Sequence, residues 1–315
     1  MRRLFSVIVC CLAATAHAEE AQPRKHVREI AQVIEAHFYD ADRGREIAQE
    51  LVREAEQGAF DSIDDPQDLG ARLTKRLRRI DGHFSVKWGE PGQPMRRRAA
   101  RGGEQPTQVE HGFGRVERLD GNLGYIQLME AAHFEFADSA SPVRRKADAV
   151  IAEVRDSNAI VLDLRTNGGG SPAMVGYLVS AFVSPTANVY NTFHTRDEVF
   201  SERPAVPYSQ PLLDTPLFVL VGPGTASAAE SLAYTLQACG RATVLGEPSA
   251  GAANPGDAFP TASGYSVFVA TGSPRNPITQ RNWEGEGVQP HVRVPAADAL
   301  RKAQQLALVK TKRAE

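Results

Sequence analysis

The sequence predicts an α/β protein in which a layered domain with a largely parallel sheet follows a small helical domain. From Gly114 onward, apolar strand-like segments alternate with amphipathic segments of helical spacing. Two of the apolar segments, 159–164 and 217–221, are apolar almost without interruption, which is typical of parallel strands buried on both faces. The alternation of strands and helices after Gly114 is typical of helices packed against a parallel sheet. Before residue 80, by contrast, the apolar residues recur at helical spacing, which predicts the separate helical domain.

Residues 1–18 have the features of a secretory signal peptide. Arg2 and Arg3 precede an apolar stretch, and Ala16-His17-Ala18 forms a small-x-small cleavage site. Its removal changes 36 basic and 38 acidic residues to 34 and 38. This balance does not favour nucleic acid as a partner, and no later apolar run approaches a membrane span. We therefore expect a periplasmic or secreted protein without stable membrane insertion.

Residues 19–89 are predicted to form the helical domain, and residues 90–110 a linker. Apolar residues at 27, 30, 33, 34 and 38 lie on one face of a helix, and Asp65-Pro66 is a typical helix start. The helices end at the segment DGHFSV, 81–86, where an extended piece begins. The linker contains Gly, Pro and several arginines without interleaved aromatic residues, so a solvated basic cluster is expected there.

Residues 111–315 are predicted to form the α/β domain. Its first two strands, 115–119 and 123–129, form a hairpin around Asp120-Gly121-Asn122. Further strands are predicted at 159–164, 188–195, 217–221, 243–247, 265–270 and 291–294, and helices at 142–156, 171–182, from 226 onward, and at 296–310.

Two glycine-rich loops each leave the end of a buried strand and open a helix. One is NGGG, 167–170, and the other is GPGTA, 222–226, which leads into Ser227. Ser227 thus lies in a first helical turn, where free N–H groups favour an oxyanion. The amides of Ala228 and of Gly169 or Gly170 could converge on one oxygen. The plainer interpretation is that Ser227 only caps its helix.

A nucleophilic serine needs a base, and the sequence leaves several choices open. No lysine occurs between Lys146 and Lys302, which argues against a nearby Ser–Lys pair. Glu284 stands beside Trp283 in a glycine-broken turn, where exposed acids are also common. Spacing alone does not choose among seven histidines of the predicted mature chain: His26, His37, His83, His111, His133, His194 and His291.

The ordered set of motifs resembles peptidase family S41. The motifs are DGHFSV (81–86), LGYIQL (123–128), LDLRTNGGG (162–170), GPGTASAAE (222–230), LGEPSAGAANP (245–255) and NWEGEGVQPHVRV (282–294). They are most similar to the branch of interphotoreceptor retinoid-binding protein and the tricorn protease core, and they span nearly all of the predicted mature chain. The resemblance implies a ClpP/crotonase-like layered fold and endopeptidase activity.

The resemblance also assigns roles residue by residue. It implies Ser227 as nucleophile, and the amides of Ala228 and of a glycine of the NGGG loop as oxyanion donors. Carboxyl-terminal processing relatives carry a lysine at the position of Ala252, so that mechanism is not expected here. The tricorn-like branch implies His83 as base and Glu284 as its supporting acid. Residues 88–109 are too few for the PDZ module of many relatives.

We therefore expect a serine endopeptidase that cleaves peptides or unfolded proteins through an acyl-enzyme, with neither cofactor nor metal. Two other functions stay open. Relatives that bind retinoids suggest a non-catalytic binder of apolar ligands, and the same serine could act in an esterase. The sequence does not indicate an oligomeric state.

Overall fold

The structure, a computed structural model, describes residues 22–89, 109–135 and 138–314. The predicted signal peptide, 1–18, lies outside the described residues, as does most of the predicted linker, 90–110.

The centre of the fold is a six-stranded sheet. Its strands are β2 (Phe113–Leu119), β3 (Leu123–Leu128), β4 (Ala159–Asp163), β7 (Leu217–Val221), β8 (Ala242–Gly246) and β12 (Val292–Arg293). They lie in the order β12-β8-β7-β4-β3-β2, and all neighbours are parallel except the β2–β3 hairpin. This confirms the layered α/β fold that the sequence predicts.

Helices cover both faces of this sheet. The largest core packs α4 (Pro142–Val154), α5 (Pro172–Ser180) and α6 (Ala228–Ala238) on one face. A smaller core packs α7 (Ala299–Ala314) on the other face. Strands β4 and β7 are therefore buried from both sides, which explains their uninterrupted apolar sequences.

The N-terminal helices form a second layer with a small antiparallel sheet. These helices are α1 (Gln22–His37), α2 (Ala41–Glu56) and α3 (Pro66–Leu77). The sheet has the order β1-β10-β9, from β1 (Ser85–Trp88), β9 (Gly256–Pro260) and β10 (Tyr265–Ala270). The apolar faces of the three helices share one core with Tyr265, Val267 and Val269 of β10.

A third sheet has the order β11-β5-β6, from β5 (Thr192–Thr195), β6 (Val199–Ser201) and β11 (Gly272–Arg275). The predicted strand 188–195 is thus shorter than expected, and β6, β9 and β11 were not predicted. β11 has the sequence GSPR and, among the described strands, pairs with β5 alone; such an edge strand tolerates the Gly and Pro that otherwise indicate a turn. No helix of the described residues is long and apolar enough to cross a membrane.

Candidate active site

Two loops meet at the carboxyl edge of the central sheet, where the parallel strands β4 and β7 end side by side. The Thr225 hydroxyl donates to the Leu164 carbonyl at 2.8 Å, and the Ala226 N–H donates to the Asn167 carbonyl at 3.0 Å. These bonds join the two glycine-rich loops that the sequence predicts to meet. Ser227 lies directly after this junction.

Ser227 is the N-cap residue of α6 and has a strained backbone, with φ 55° and ψ −123°. A non-glycine residue pays of order 1–3 kcal/mol for such a conformation, and such residues concentrate at functional sites. The Ser227 hydroxyl faces the Glu230 N–H as in a capping box, but the contact lacks the geometry of a hydrogen bond. The serine is therefore more than an ordinary helix cap, since its backbone turns sharply between strand and helix.

Glu230, one helical turn after the serine, fixes this turn from inside the protein. The buried carboxylate accepts hydrogen bonds from the N–H groups of Ser227 (2.8 Å), Gly251 (2.7 Å) and Ala252 (2.8 Å), and from the Ser249 hydroxyl (2.5 Å). Burial raises the pKa of Glu230, and these four bonds oppose the rise. The N–H groups of Ser227 and Ala252 thus donate to the same oxygen of Glu230, Oε2.

The three predicted oxyanion donors, Gly169, Gly170 and Ala228, are not equivalent. Gly169 packs against it closely enough that a Cβ there would be 2.8 Å from the Ser227 Cβ and 3.2 Å from the Ala228 nitrogen. The Gly169 N–H already donates to the Asn167 side chain at 2.8 Å. Among the described residues, no hydrogen bond uses the N–H of Gly170 or Ala228. Those two amides are the ones available to a ligand.

His83 lies in the turn between α3 and β1 and contacts two carboxylates through one ring nitrogen. Nδ1 is 3.1 Å from Asp81 Oδ1 and 3.3 Å from Glu284 Oε1. Asp81 Oδ1 also accepts the His83 N–H at 2.8 Å, so Asp81 holds both the ring and the backbone. The Glu284 contact is an ion pair whose geometry falls short of a hydrogen bond. Asp81, rather than the predicted Glu284, makes the better-formed bond to the ring.

The pKa of His83 reflects this double pairing. Burial lowers the pKa, but the interactions with Asp81 and Glu284 outweigh burial and raise it from 6.5 to about 9. For Asp81, burial alone would raise the pKa. Hydrogen bonds from His83 and Asn254 outweigh burial, so the net shift of the Asp81 pKa is downward. Asp81 therefore stays ionised and the imidazolium form of His83 is favoured.

One loop, residues 249–254, connects the serine side to the histidine side. Its first half supplies the donors to Glu230. In its second half, the N–H groups of Ala253 and Asn254 donate to Glu284 Oε2 at 2.9 and 3.1 Å. The Asn254 side chain donates to Asp81 Oδ2 at 2.9 Å. The structure thus brings His83 and Glu284 together and links them through this loop to Ser227, although no hydrogen bond joins Ser227 to His83 in the described chain.

Five of the other six histidines have defined contacts elsewhere: His26 packs with Tyr265 and Trp88, His37 stacks on Phe259, His133 contacts Ser171, His194 contacts Thr192, and His291 accepts the Val244 N–H. None of the six alternatives bonds to Ser227 in the described residues. Asp81, His83 and Glu284 offer ligand atoms within 4.8 Å of one another, close enough for a metal ion.

Sequence reasoning missed Asp81, Glu230 and Asn254. The spacing Ser227-x-x-Glu230 matches a capping box, so Glu230 could have been found from the pattern. Asp81 precedes His83 by two residues, a spacing that allows the aspartate to accept the histidine N–H in a tight turn. Asn254 and Asp81 are 173 residues apart, and only the fold brings them into contact.

Known proteins resemble this chain in both sequence and fold. It is 31% identical over 161 residues to a carboxyl-terminal-processing protease of Picosynechococcus, covering 50% of this chain and 36% of the relative. It is 26% identical over 220 residues to the chloroplastic carboxyl-terminal-processing peptidase 1 of Arabidopsis thaliana, covering 70% and 43%. The chain thus spans less than half the length of these curated relatives.

Solved structures show the same fold at low sequence identity. A crystal structure described as a candidate peptidase of Parabacteroides merdae has a TM-score of 0.65 at 18% identity and covers 92% of this chain and 98% of that one. A lipoprotein of Streptococcus agalactiae has a TM-score of 0.57 at 13% identity, with 94% and 99% covered. The model of peptidase family S41 matches residues 122–294, more than half of the chain, and the protein therefore belongs to this family of serine peptidases.

Proposed function

We propose that the protein is a secreted or periplasmic serine endopeptidase that cleaves peptides or unfolded proteins through an acyl-enzyme on Ser227, with His83 as the base. The observation that carries the proposal is the strained backbone of Ser227 at the start of α6, where the adjacent Ala228 N–H is unused and the NGGG loop packs against the serine through Gly169. A hydroxyl on such a sharp turn between strand and helix can attack a carbonyl carbon, and the amides of the turn can bind the resulting oxyanion.

The tautomer of His83 follows from its partners. Nδ1 is engaged by Asp81 and Glu284, so Nε2 is the nitrogen left to accept a proton from the Ser227 hydroxyl. In the proposed first step, Nε2 takes this proton as the serine oxygen attacks the peptide carbonyl. The N–H groups of Ala228 and Gly170 bind the negative oxygen, while Gly169 keeps its bond to Asn167 and shapes the turn.

The acyl-enzyme then forms. His83 donates the proton to the leaving amine, the peptide bond breaks, and the acyl group stays on Ser227. Water then attacks the ester with His83 again as base, which releases the new carboxyl end and restores the serine. Asp81 and Glu284 stabilise the imidazolium that forms in each half. The same two carboxylates raise the pKa of His83 to about 9, so at neutral pH the resting histidine is protonated and must lose a proton before it can act as a base.

An apolar-ligand binder and an esterase are the other two functions to separate. The cleft next to Glu284 is lined mainly by polar and charged side chains, including Tyr39, Arg275 and Arg281. Apolar ligands are normally held by predominantly apolar pockets. This lining favours a peptide over an apolar ligand.

Covalent labelling with a fluorophosphonate probe tests the proposal. We expect the wild type to be labelled at Ser227, and His83→Ala and Ser227→Ala to be unlabelled but folded. His37→Ala, which changes a histidine stacked on Phe259 away from the site, is the matched control and should label normally. Absence of labelling in the wild type, or full labelling of His83→Ala, would contradict the mechanism.

Turnover assays then define the activity. We expect cleavage of unfolded protein at internal bonds, unchanged by EDTA. Hydrolysis of small esters without any cleavage of peptides would instead identify an esterase. For the proposed location, N-terminal sequencing of the protein from the extracytoplasmic fraction should begin at Glu19, and an uncleaved cytoplasmic chain would contradict it.

A further inference from the structure

We infer that the cleft beside Glu284 is a substrate subsite that binds a carboxylate, through Arg275 and Arg281. This inference rests on the proposed peptidase function and adds a preference for one chemical class of residue near the cleaved bond.

The cleft has a volume of about 420 Å³ and borders the proposed catalytic histidine through a single side chain. Glu284 contacts His83 on one side and lines the cleft on the other. Tyr39, from the segment between α1 and α2, forms part of the wall, and β11 and the loop that follows it form another part. Because an extended peptide advances about 3.3 Å per residue, a substrate side chain in this cleft belongs to a residue close to the scissile bond.

The two arginines are exposed and make no ion pair in the described part of the chain. Their backbone, by contrast, is firmly held. The buried Asn276 accepts hydrogen bonds from the N–H groups of Ile278 and Thr279 and donates to Asn191. The Asn276 N–H donates to the Arg281 carbonyl at 3.0 Å. A fixed loop therefore presents two guanidinium groups whose hydrogen-bonding capacity is unused.

The acidic residues of the cleft do not supply the missing partner. Glu284 is committed to His83 and to two backbone N–H groups. Glu286 is exposed and lies on the rim without reaching either guanidinium within ion-pair distance in the described residues. Burial raises the pKa of Tyr39, so its hydroxyl stays protonated and can donate. Guanidinium and hydroxyl donors together suit a planar carboxylate.

The carboxylate can come from an Asp or Glu side chain or from the C-terminus of the substrate. A synthetic peptide library distinguishes them, with one position carrying Asp, Glu, Asn, Gln or Lys, and with free or amidated C-termini. Cleavage is measured by mass spectrometry at low salt, because exposed charges are screened. Wild type is compared with Arg275→Gln, Arg281→Gln and Glu286→Gln, and with Arg301→Gln on α7 as a matched control far from the cleft.

We expect the wild type to prefer Asp or Glu over Asn or Gln at one position, or a free over an amidated C-terminus, by roughly three- to tenfold in kcat/KM. Arg275→Gln and Arg281→Gln should each reduce this ratio while still cleaving the uncharged peptides. Glu286→Gln should increase it, because a repelling charge is removed, and Arg301→Gln should leave it unchanged.

Cleavage by the wild type without any preference for a carboxylate would overturn this inference and leave the peptidase function intact. So would a preference that survives both arginine variants. Failure of the wild type to cleave any peptide, together with absence of fluorophosphonate labelling, would instead overturn the proposed function itself.

Discussion

At the residue scale, the unusual feature of the site is a histidine held by two carboxylates at once. Asp81 is almost fully buried, and only 18% of the His83 side chain is exposed. Asp81 receives both the ring and the backbone N–H of His83, whereas Glu284 contributes mainly charge. Asp81 therefore orients the ring, and both residues determine how readily it releases its proton.

This arrangement predicts an alkaline activity profile. The proposed base, His83, acts only in its neutral form, and its pKa is raised to about 9, so kcat/KM should rise with pH through that value and level off only above it. Glu284→Gln removes one of the two charges and should move the midpoint to lower pH. The ratio of variant to wild-type activity should therefore be highest at acid pH. Steady-state measurements of kcat/KM for both proteins between pH 6 and 10 give this ratio.

Glu286→Gln is the control, since this nearby carboxylate does not contact His83 in the described structure. A ratio of Glu284→Gln to wild-type activity that is the same at every pH would mean that Glu284 acts by packing and not by charge. A wild-type profile that is already level at pH 7 would contradict the raised pKa.

At the element scale, the start of α6 depends on how closely the NGGG loop approaches it. Gly169 has φ 115°, and a Cβ there would lie 2.8 Å from Ser227 Cβ and 3.0 Å from the Ala226 carbonyl oxygen. Gly169→Ala must therefore move Ser227 or the NGGG loop. We expect kcat/KM to fall by about 100-fold or more, with a loss of about 1–3 kcal/mol in unfolding free energy.

Gly240, after the other end of α6, provides the control. It also has a positive φ, 69°, but a Cβ there would meet nothing within 4 Å. Gly240→Ala should cost about 1 kcal/mol of stability and leave kcat/KM unchanged. Kinetics and urea unfolding of both variants compare the two effects, and equal activities would show that close packing at Gly169 is not needed.

The buried side of α6 has a second carboxylate that the proposed mechanism does not use. Ser231 and Asn191 donate to Glu202 at 2.6 and 3.0 Å. Burial raises the pKa of Glu202 from 4.5 to about 7, although both bonds oppose the rise. The folded protein thus keeps a proton that the unfolded chain has released, so stability should fall as pH rises from about 4.5 through about 7.

Glu202→Gln does not titrate, so its stability relative to the wild type should increase over this range, by up to about 3 kcal/mol. Urea unfolding at pH 5, 6, 7 and 8 measures the difference. Glu198→Gln, in the exposed turn between β5 and β6, should show no such trend. A difference that is constant with pH would mean that Glu202 is ionised in the folded protein throughout.

At the scale of the whole molecule, the sequence is most informative where local pattern determines structure. The uninterrupted apolar segments correctly predict β4 and β7, and the loops that follow them lie at one edge of the sheet, where Gly169 packs against Ser227. Histidine spacing could not single out His83, because its partners are Asp81 in its own turn and Glu284 from a loop 201 positions later. Family resemblance supplied that residue instead. The sequence did not predict the strand β11, because the residues GSPR have low strand propensity and β11 forms through its pairing with β5.

The two sides of the site belong to different cores. Ser227 begins a helix packed on the central sheet, and His83 follows α3, which packs in the core of α1 to α3. That second core also contains β10, from a part of the chain after Ser227, and β10 pairs with β1 directly after His83. If either the helices or β10 left this core, apolar side chains of the other would be exposed to water. The relative position of His83 and Ser227 therefore depends on both cores being folded.

Leu73→Ala tests this dependence from a position in α3, outside the proposed catalytic groups. Leu73 is fully buried, so the variant should lose about 2–5 kcal/mol of unfolding free energy. If the two cores unfold as one unit, circular dichroism and fluorophosphonate labelling of Ser227 should fail at the same urea concentration, and Leu73→Ala should lower both midpoints together. Arg72→Ala, an exposed neighbour on the same helix, should move neither. Labelling that persists after the helical signal has partly gone would show that the α/β core holds an active Ser227 by itself, and His83 could not then be its base.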